Sequence, residues 1–235
     1  MCFFMHGFDK PFVKRLNQAR RLEWRYGVKV VVFSWPSNPG GNPVDEYKDA
    51  SKIALASAGA LASALEKVGR YMKKSLRNYP AEKCNIKFSL LAYSLGNRLL
   101  YSYMGGSSDD EGANIFDNII LCQADVDRIN HEHWVDRMSI GKRIYITINE
   151  DDGVLKKSEM VNRRERLGRA SGHLYSEKAL YFDFTGGPNV GGTHGLFYKK
   201  TNRVVRDVFH EFMHGRRGER VLGMTYDPRT NAYQF

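Results

Sequence analysis

The chain has 235 residues, 42% hydrophobic and 26% charged, and Lys+Arg 36 against Asp+Glu 26 give a formal net charge of +10. This length supports one sizeable core and is short for two domains, and the composition argues against a disordered chain. No apolar run approaches the roughly 20 residues that span a bilayer, and Met1 to Gly7 lacks the basic region and cleavage site of a signal peptide. Cys2, Cys84 and Cys122 are few, odd in number and without metal-ligand spacing, so they read as buried thiols of a reducing, cytoplasmic compartment. The densest basic clusters are Lys73-Lys74, Arg163-Arg164-Glu165-Arg166 and Arg216-Arg217. They read as solvated helix faces and a basic tail. With no nucleic-acid motif beside them, no specific nucleic-acid partner is expected.

Cys2 to Met5 is an apolar run stopped by His6-Gly7, as a buried strand ending in a turn would be. Pro11 to Tyr26 reads as a helix with Phe12, Leu16 and Ala19 on its apolar face, stopped by Gly27. Val28 to Phe33 is β-branched and, but for Lys29, apolar, which suits a parallel strand covered on both faces. A Pro/Gly/Asn-rich loop runs from Ser34 to Pro43. A long alanine-rich helix is predicted from Asp45 to Leu76, with Gly59 or Gly69 as the point of a break or bend. Further strands are predicted over Asn85–Ala92, Ile119–Cys122, Arg143–Ile148 and Leu180–Phe184. Helices are predicted over Asn97–Met104, Leu155–Leu167 and Thr201–His214. Strands alternating with helices predict an α/β fold with a mainly parallel sheet and helices on both faces. The predicted domain covers residues 1–214. The tail, 215–235, reads equally as a hairpin, a dimer arm or a mobile end, and the oligomeric state is left open.

In parallel sheets, sites gather beyond the carboxyl ends of the strands. There the segment Ala92-Tyr93-Ser94-Leu95-Gly96 joins a strand to a helix, the pattern of a nucleophile elbow. Such a turn holds the serine in a strained conformation that projects Oγ from the sheet, and the following helix aims its N-terminal dipole at the site. A serine hydroxyl needs a base to take its proton and a carboxylate to orient that base. The chain order on such a fold is serine, acid, histidine. Asp151-Asp152, just past a strand, and His194, within Gly191-Gly192-Thr193-His194-Gly195, follow Ser94 in that order. Pattern alone does not separate Asp151 from Asp152. The backbone N–H groups of Leu95 and Phe8 are candidates for an oxyanion hole, where a donor is typically worth about 2.7–4 kcal/mol.

Six segments add specificity: His6-Gly7-Phe8, Phe33-Ser34-Trp35-Pro36-Ser37, Tyr47-Lys48-Asp49-Ala50, Ala92 to Arg98, Ala124-Asp125-Val126-Asp127, and Asp152-Gly153-Val154-Leu155. Together they resemble the α/β-hydrolase superfamily, and in particular a bacterial family of uncharacterised, esterase-like hydrolases. The resemblance runs from the first residues to about His214. Tyr93 and Ala124 replace a frequent histidine and a proline of that pattern, at positions expected to lie away from the catalytic groups. The superfamily usually has one or two strands before the first one here, so the sheet is reduced at that side or the chain is truncated. The resemblance implies the three-layer α/β-hydrolase fold and favours Asp152 as the acid, with Asp151 and then Asp125 as alternatives.

His6 is expected to be a hydrogen-bonded scaffold residue, His131 and His133 surface histidines, and Asp127 and Asn130 caps of the next helix. Trp35 is equally an acyl-pocket or a core residue. The expected function is hydrolysis of a small-molecule carboxylic ester or thioester through an acyl-Ser94 intermediate, with no cofactor and no metal. A catalytically silent binding module on the same scaffold, or an acyltransferase with the same triad, are the alternatives. The polar Gly105–Gly112 segment is too short for a cap domain, which predicts an open site.

Overall fold

The computed structural model describes residues 1–8, 11–78, 86–106 and 114–235. Cys84 and most of the Gly105–Gly112 segment lie outside these. In chain order the elements are β1 (Cys2–Met5), α1 (Phe12–Tyr26), β2 (Val30–Phe33), α2 (Pro43–Ala56), α3 (Ala58–Asn78), β3 (Ser89–Tyr93), α4 (Gly96–Gly106), β4 (Phe116–Cys122) and α5 (Glu132–Val135). Then come β5 (Gly141–Ile148), α6 (Gly153–Asn162), β6 (Ala179–Asp183), α7 (Arg203–Met213), β7 (Thr225–Asp227) and β8 (Ala232–Gln234).

The strands form one eight-stranded sheet in the order β2-β1-β3-β4-β5-β6-β8-β7, parallel except for the β7–β8 hairpin. Because side chains alternate along a strand, each strand feeds two cores. Phe3, Met5, Leu90, Ala92, Ile119 and Leu121 pack under α2, α3, α4 and α5. Cys2, Phe4, Leu91, Ile120 and Tyr145 pack under α1 and α7. The result is the expected three-layer α/β architecture. Cys2 and Cys122 are free and buried, and burial raises the thiol pKa of both, that of Cys2 to about 12.

Several helices depart from the sequence pattern. The buried stripe of α1 is Arg15, Ala19, Leu22 and Tyr26, while Phe12 and Leu16 are exposed, so the helix is rotated by about one residue. Arg15 turns inward because it finds acceptors there, at the Trp35 carbonyl (3.2 Å) and Ser37 Oγ (2.6 Å). The long alanine-rich stretch is two helices, and the break falls at Ser57 rather than Gly59 or Gly69. The Ser57 hydroxyl donates to the Ile53 carbonyl (2.8 Å), a local bond that competes with helix propagation. The N-terminus of α2 is capped by Asn42, which accepts from the Val44 and Asp45 N–H groups. After α7 the chain forms the β7–β8 hairpin, and β8 extends the sheet beside β6.

Candidate active site

Parallel pairing in register puts the carboxyl ends of β1, β3, β4 and β5 along one edge. At the end of β3, Ser94 has φ 53°, a left-handed conformation that costs an L-residue about 1–3 kcal/mol. Three features hold it. The Ser94 N–H donates to the Cys122 carbonyl (3.0 Å). The buried Asn97 amide donates to the carbonyls of Ala92 and Ser94 (3.0 Å each). Two glycines let β1 press against the turn. A Cβ on Gly96 would lie 2.8 Å from the carbonyl oxygens of Met5 and His6, and one on Gly7 would lie 2.8 Å from Ser94 Cβ.

His194 Nε2 lies 2.9 Å from Ser94 Oγ, and His194 Nδ1 lies 2.6 Å from Asp152 Oδ2. The other carboxylate oxygen of Asp152 accepts from the N–H groups of Val154 (2.9 Å) and Leu155 (3.0 Å), capping α6. Asp152 is therefore a carboxylate with both oxygens committed, fully buried beside a histidine side chain that is 14% exposed. With Nδ1–H donating to Asp152, Nε2 is left as the acceptor that faces the Ser94 hydroxyl.

The two alternative acids stand elsewhere. Asp151 is exposed to solvent. Asp125 is buried but is engaged by Tyr47 Oη (3.0 Å), Ser158 Oγ (2.5 Å) and Arg166 Nε (3.6 Å). Asp127 does not cap α5: it pairs with Arg164 (2.8 Å) and Arg166 (2.7 Å). Nor does Asn130, since the residue at the cap position is His131, with no side-chain cap bond. Arg166 itself is wholly buried, not part of a solvated face, because the two aspartates draw it inward.

On the other side of Ser94, the β1 turn supplies Phe8. Among the described residues, neither the Phe8 nor the Leu95 N–H has a protein acceptor, so both donors are available beside Ser94. His6 is buried, stacks on Trp35 (5.5 Å between centroids, 7° between planes) and donates through Nδ1 to the Gly7 carbonyl (2.9 Å). Nε2 accepts from the Trp35 N–H (3.3 Å) and from Arg15 Nη1. Burial pushes the His6 pKa down to about 3, which keeps the ring neutral and Nε2 able to accept. Trp35 is thus core, packed against His6.

Three residues matter more than the sequence pattern suggested. Tyr93 does meet one of the candidate site residues: its ring packs on His194 (5.1 Å) and edge-on to Phe197 (4.9 Å). Asn149, one residue past β5, donates to the carbonyls of Gly191 (2.9 Å) and Thr193 (3.0 Å) and so ties the histidine loop to the acid loop. The only signal for it was a polar residue closing an apolar strand. His131, expected on the surface, is buried, with its ring nitrogens on Tyr181 Oη (2.6 Å) and the Arg128 carbonyl (2.7 Å). Among the described residues no three His, Cys, Asp or Glu side chains cluster as metal ligands, and no helix is long and apolar enough to cross a membrane. A cavity of about 780 Å³ lies away from Ser94, lined by Arg98, Tyr101, Val126, Trp134 and Arg137 among others.

A parallel sheet sandwiched by helices, with a left-handed serine at the end of a central strand, defines an α/β hydrolase. The family model described as "Alpha/beta hydrolase of unknown function (DUF900)" matches residues 1–180, and the chain belongs to that family. The matched residues include Ser94 and Asp152, and His194 lies beyond them. No curated protein matches the sequence. Among solved structures, the chain is similar to one described as an uncharacterised protein from Capnocytophaga ochracea DSM 7271. Identity is 14%, the TM-score is 0.34, and the match covers 80% of this chain and 50% of that one, so the chain spans about half the length of that relative.

Proposed function

We propose that the protein is a serine hydrolase that cleaves a carboxylic ester or thioester through an acyl-Ser94 intermediate. The observation that supports this reading best is the unbroken hydrogen-bonded line from Ser94 Oγ through His194 to Asp152. In the first step Ser94 Oγ attacks the acyl carbon while His194 Nε2 takes its proton. The negative charge on the former carbonyl oxygen is met by the N–H groups of Phe8 and Leu95. Asp152 holds the imidazole in the tautomer this needs and stabilises the imidazolium that forms. His194 then hands the proton to the leaving alkoxide or thiolate. Water repeats the sequence against the acyl-enzyme, releasing the carboxylic acid and restoring Ser94.

The test is a fluorophosphonate probe together with a short-chain p-nitrophenyl ester. Wild-type protein should be labelled at Ser94 and should hydrolyse the ester. Ser94→Ala should abolish labelling and lower kcat by at least about 10⁴-fold. Ester turnover that survives Ser94→Ala, or a wild-type protein inert to both reagents, would defeat the assignment.

A further inference from the structure

We propose that Ser37, its hydroxyl proton aimed by Arg15, is a positioning residue for the oxyanion hole: it acts through the Gly7 carbonyl to set and polarise the Phe8 N–H. The inference rests on the serine-hydrolase reading above and deepens it.

In a planar trans peptide the C=O and the N–H point in opposite directions. Whatever fixes the Gly7 carbonyl therefore fixes the Phe8 N–H. The Gly7 oxygen accepts two hydrogen bonds, from His6 Nδ1 (2.9 Å) and from Ser37 Oγ (3.1 Å). Two donors occupy both lone pairs of a carbonyl oxygen and leave the peptide plane little freedom. The same peptide lies against the elbow, since a Cβ on Gly7 would be 2.8 Å from Ser94 Cβ and 3.3 Å from Ser94 Oγ. The clamp thus holds one of the two N–H groups that meet charge developing beside Ser94.

The direction of the Ser37 bond follows from Arg15. Its Nη2 donates to Ser37 Oγ (2.6 Å), and a guanidinium has no acceptor to offer. The single Ser37 proton is then left for the Gly7 oxygen. The positive charge behind the hydroxyl makes it a better donor, and linked hydrogen bonds strengthen one another by about 10–30% each. A carbonyl that accepts strongly has a more acidic N–H across the same amide.

Burial argues the same way. Ser37 is 0% and Arg15 3% exposed. Burying a guanidinium costs several kcal/mol before its partners offset it. On a helix stripe otherwise made of Ala19, Leu22 and Tyr26, packing alone would be served by an apolar side chain. The line also gives a role to the Phe33-Ser34-Trp35-Pro36-Ser37 segment: Trp35 stacks on His6, and Ser37 reaches the carbonyl that His6 also holds.

The test compares Ser37→Thr with Ser37→Val, which share one branched shape and differ in a hydroxyl against a methyl, alongside Ser37→Ala. Steady-state ester hydrolysis is read with inhibition by a trifluoromethyl ketone. Ser94 Oγ adds to that ketone, its proton passes to His194, and the carbonyl oxygen becomes a standing oxyanion. Ser37→Val and Ser37→Ala should lower kcat about 10- to 100-fold with KM within about twofold, and weaken the ketone by the same factor. Ser37→Thr should stay within about threefold of wild type. Because Thr and Val crowd the buried site alike, their ratio reads the hydroxyl even if both variants melt earlier. Val as fast as Thr, or a loss confined to KM, would overturn the role of Ser37 while leaving the hydrolase assignment intact. Wild-type protein that neither labels at Ser94 nor turns over ester would overturn both.

Discussion

Asp152→Asn separates geometry from chemistry at the candidate site. In the wild type, Oδ1 accepts from the Val154 and Leu155 N–H groups, at 2.9 and 3.0 Å, and Oδ2 accepts from His194 at 2.6 Å. An asparagine has one oxygen for these two places. If its NH₂ faced the helix, three donors would meet and two backbone N–H groups would lose their acceptor, so the oxygen stays at the cap and the NH₂ turns to His194. Asn caps a helix as well as Asp does, which limits the stability loss to the charge–dipole part, about 0.3–1 kcal/mol. The amide then donates to Nδ1, and the ring adopts the tautomer with its proton on Nε2, unable to accept from Ser94. The corresponding substitution in the Ser-His-Asp template lowers kcat about 10⁴-fold, equivalent to roughly 5.5 kcal/mol of barrier. The expected outcome is a loss of about 10³- to 10⁴-fold in p-nitrophenyl ester turnover and a melting temperature within a few degrees of wild type. Asp151→Asn, at an exposed position, should change turnover less than threefold. Activity of Asp152→Asn within tenfold of wild type, or a larger loss in Asp151→Asn, would refute the reasoning.

Gly96→Ala puts a Cβ 2.8 Å from two backbone carbonyls, and should cost about 1–3 kcal/mol in urea denaturation and about 10²-fold in kcat/KM; Gly59→Ala, with nothing within 4 Å, should be neutral or stabilising by up to about 1 kcal/mol. Arg166→Met leaves Asp125 buried without its cation, so calorimetry should find it about 3–5 kcal/mol less stable, and Arg166→Met combined with Asp125→Asn should recover part of that loss. Burial lowers the pKa of His6 and His131, so below pH 6.5 the unfolded chain takes up protons that the folded chain refuses, and stability falls with pH. Between pH 7.5 and 5.5 His6, which stays neutral, removes about 1.4 kcal/mol and His131 acts in the same sense, the raised Glu150 and Asp183 carboxyls act in the opposite sense, and the urea midpoint of His131→Gln should depend less steeply on pH than that of wild type.

The sequence pattern carried the sheet well, because strands covered on both faces hold unbroken apolar runs such as Cys2–Met5 and Ile119–Cys122. It carried the order of Ser94, Asp152 and His194 because each follows a strand end. It could not separate Asp151 from Asp152, since the difference lies in which carboxylate meets the first turn of α6. Polar residues that turn inward were also illegible: Arg15, Arg166 and His131 are buried only because acceptors from distant segments await them. Periodicity reads a stripe from hydrophobicity and so placed the face of α1 one residue away. Ser57 breaks a helix through a side-chain bond, where composition pointed to the neighbouring glycine. Asn149 and Tyr93 sit where the acid and histidine loops converge, and that proximity exists only in three dimensions.

The contact between Ser94 and His194 joins positions 100 residues apart, whereas β1 to β4, which build the elbow, are complete by Cys122. Contacts so distant along the chain close late, because the entropy of ordering the intervening segments must be met first. During synthesis, Ser94 can therefore be seated on its turn while His194 has yet to leave the ribosome. A partly made or C-terminally clipped chain would hold a serine with no partner to take its proton. If Ser94 reacts as proposed, its reactivity would serve as a late clock of folding: a probe that modifies this residue would report arrival of the last third of the polypeptide, whereas far-ultraviolet signals report the scaffold that precedes it.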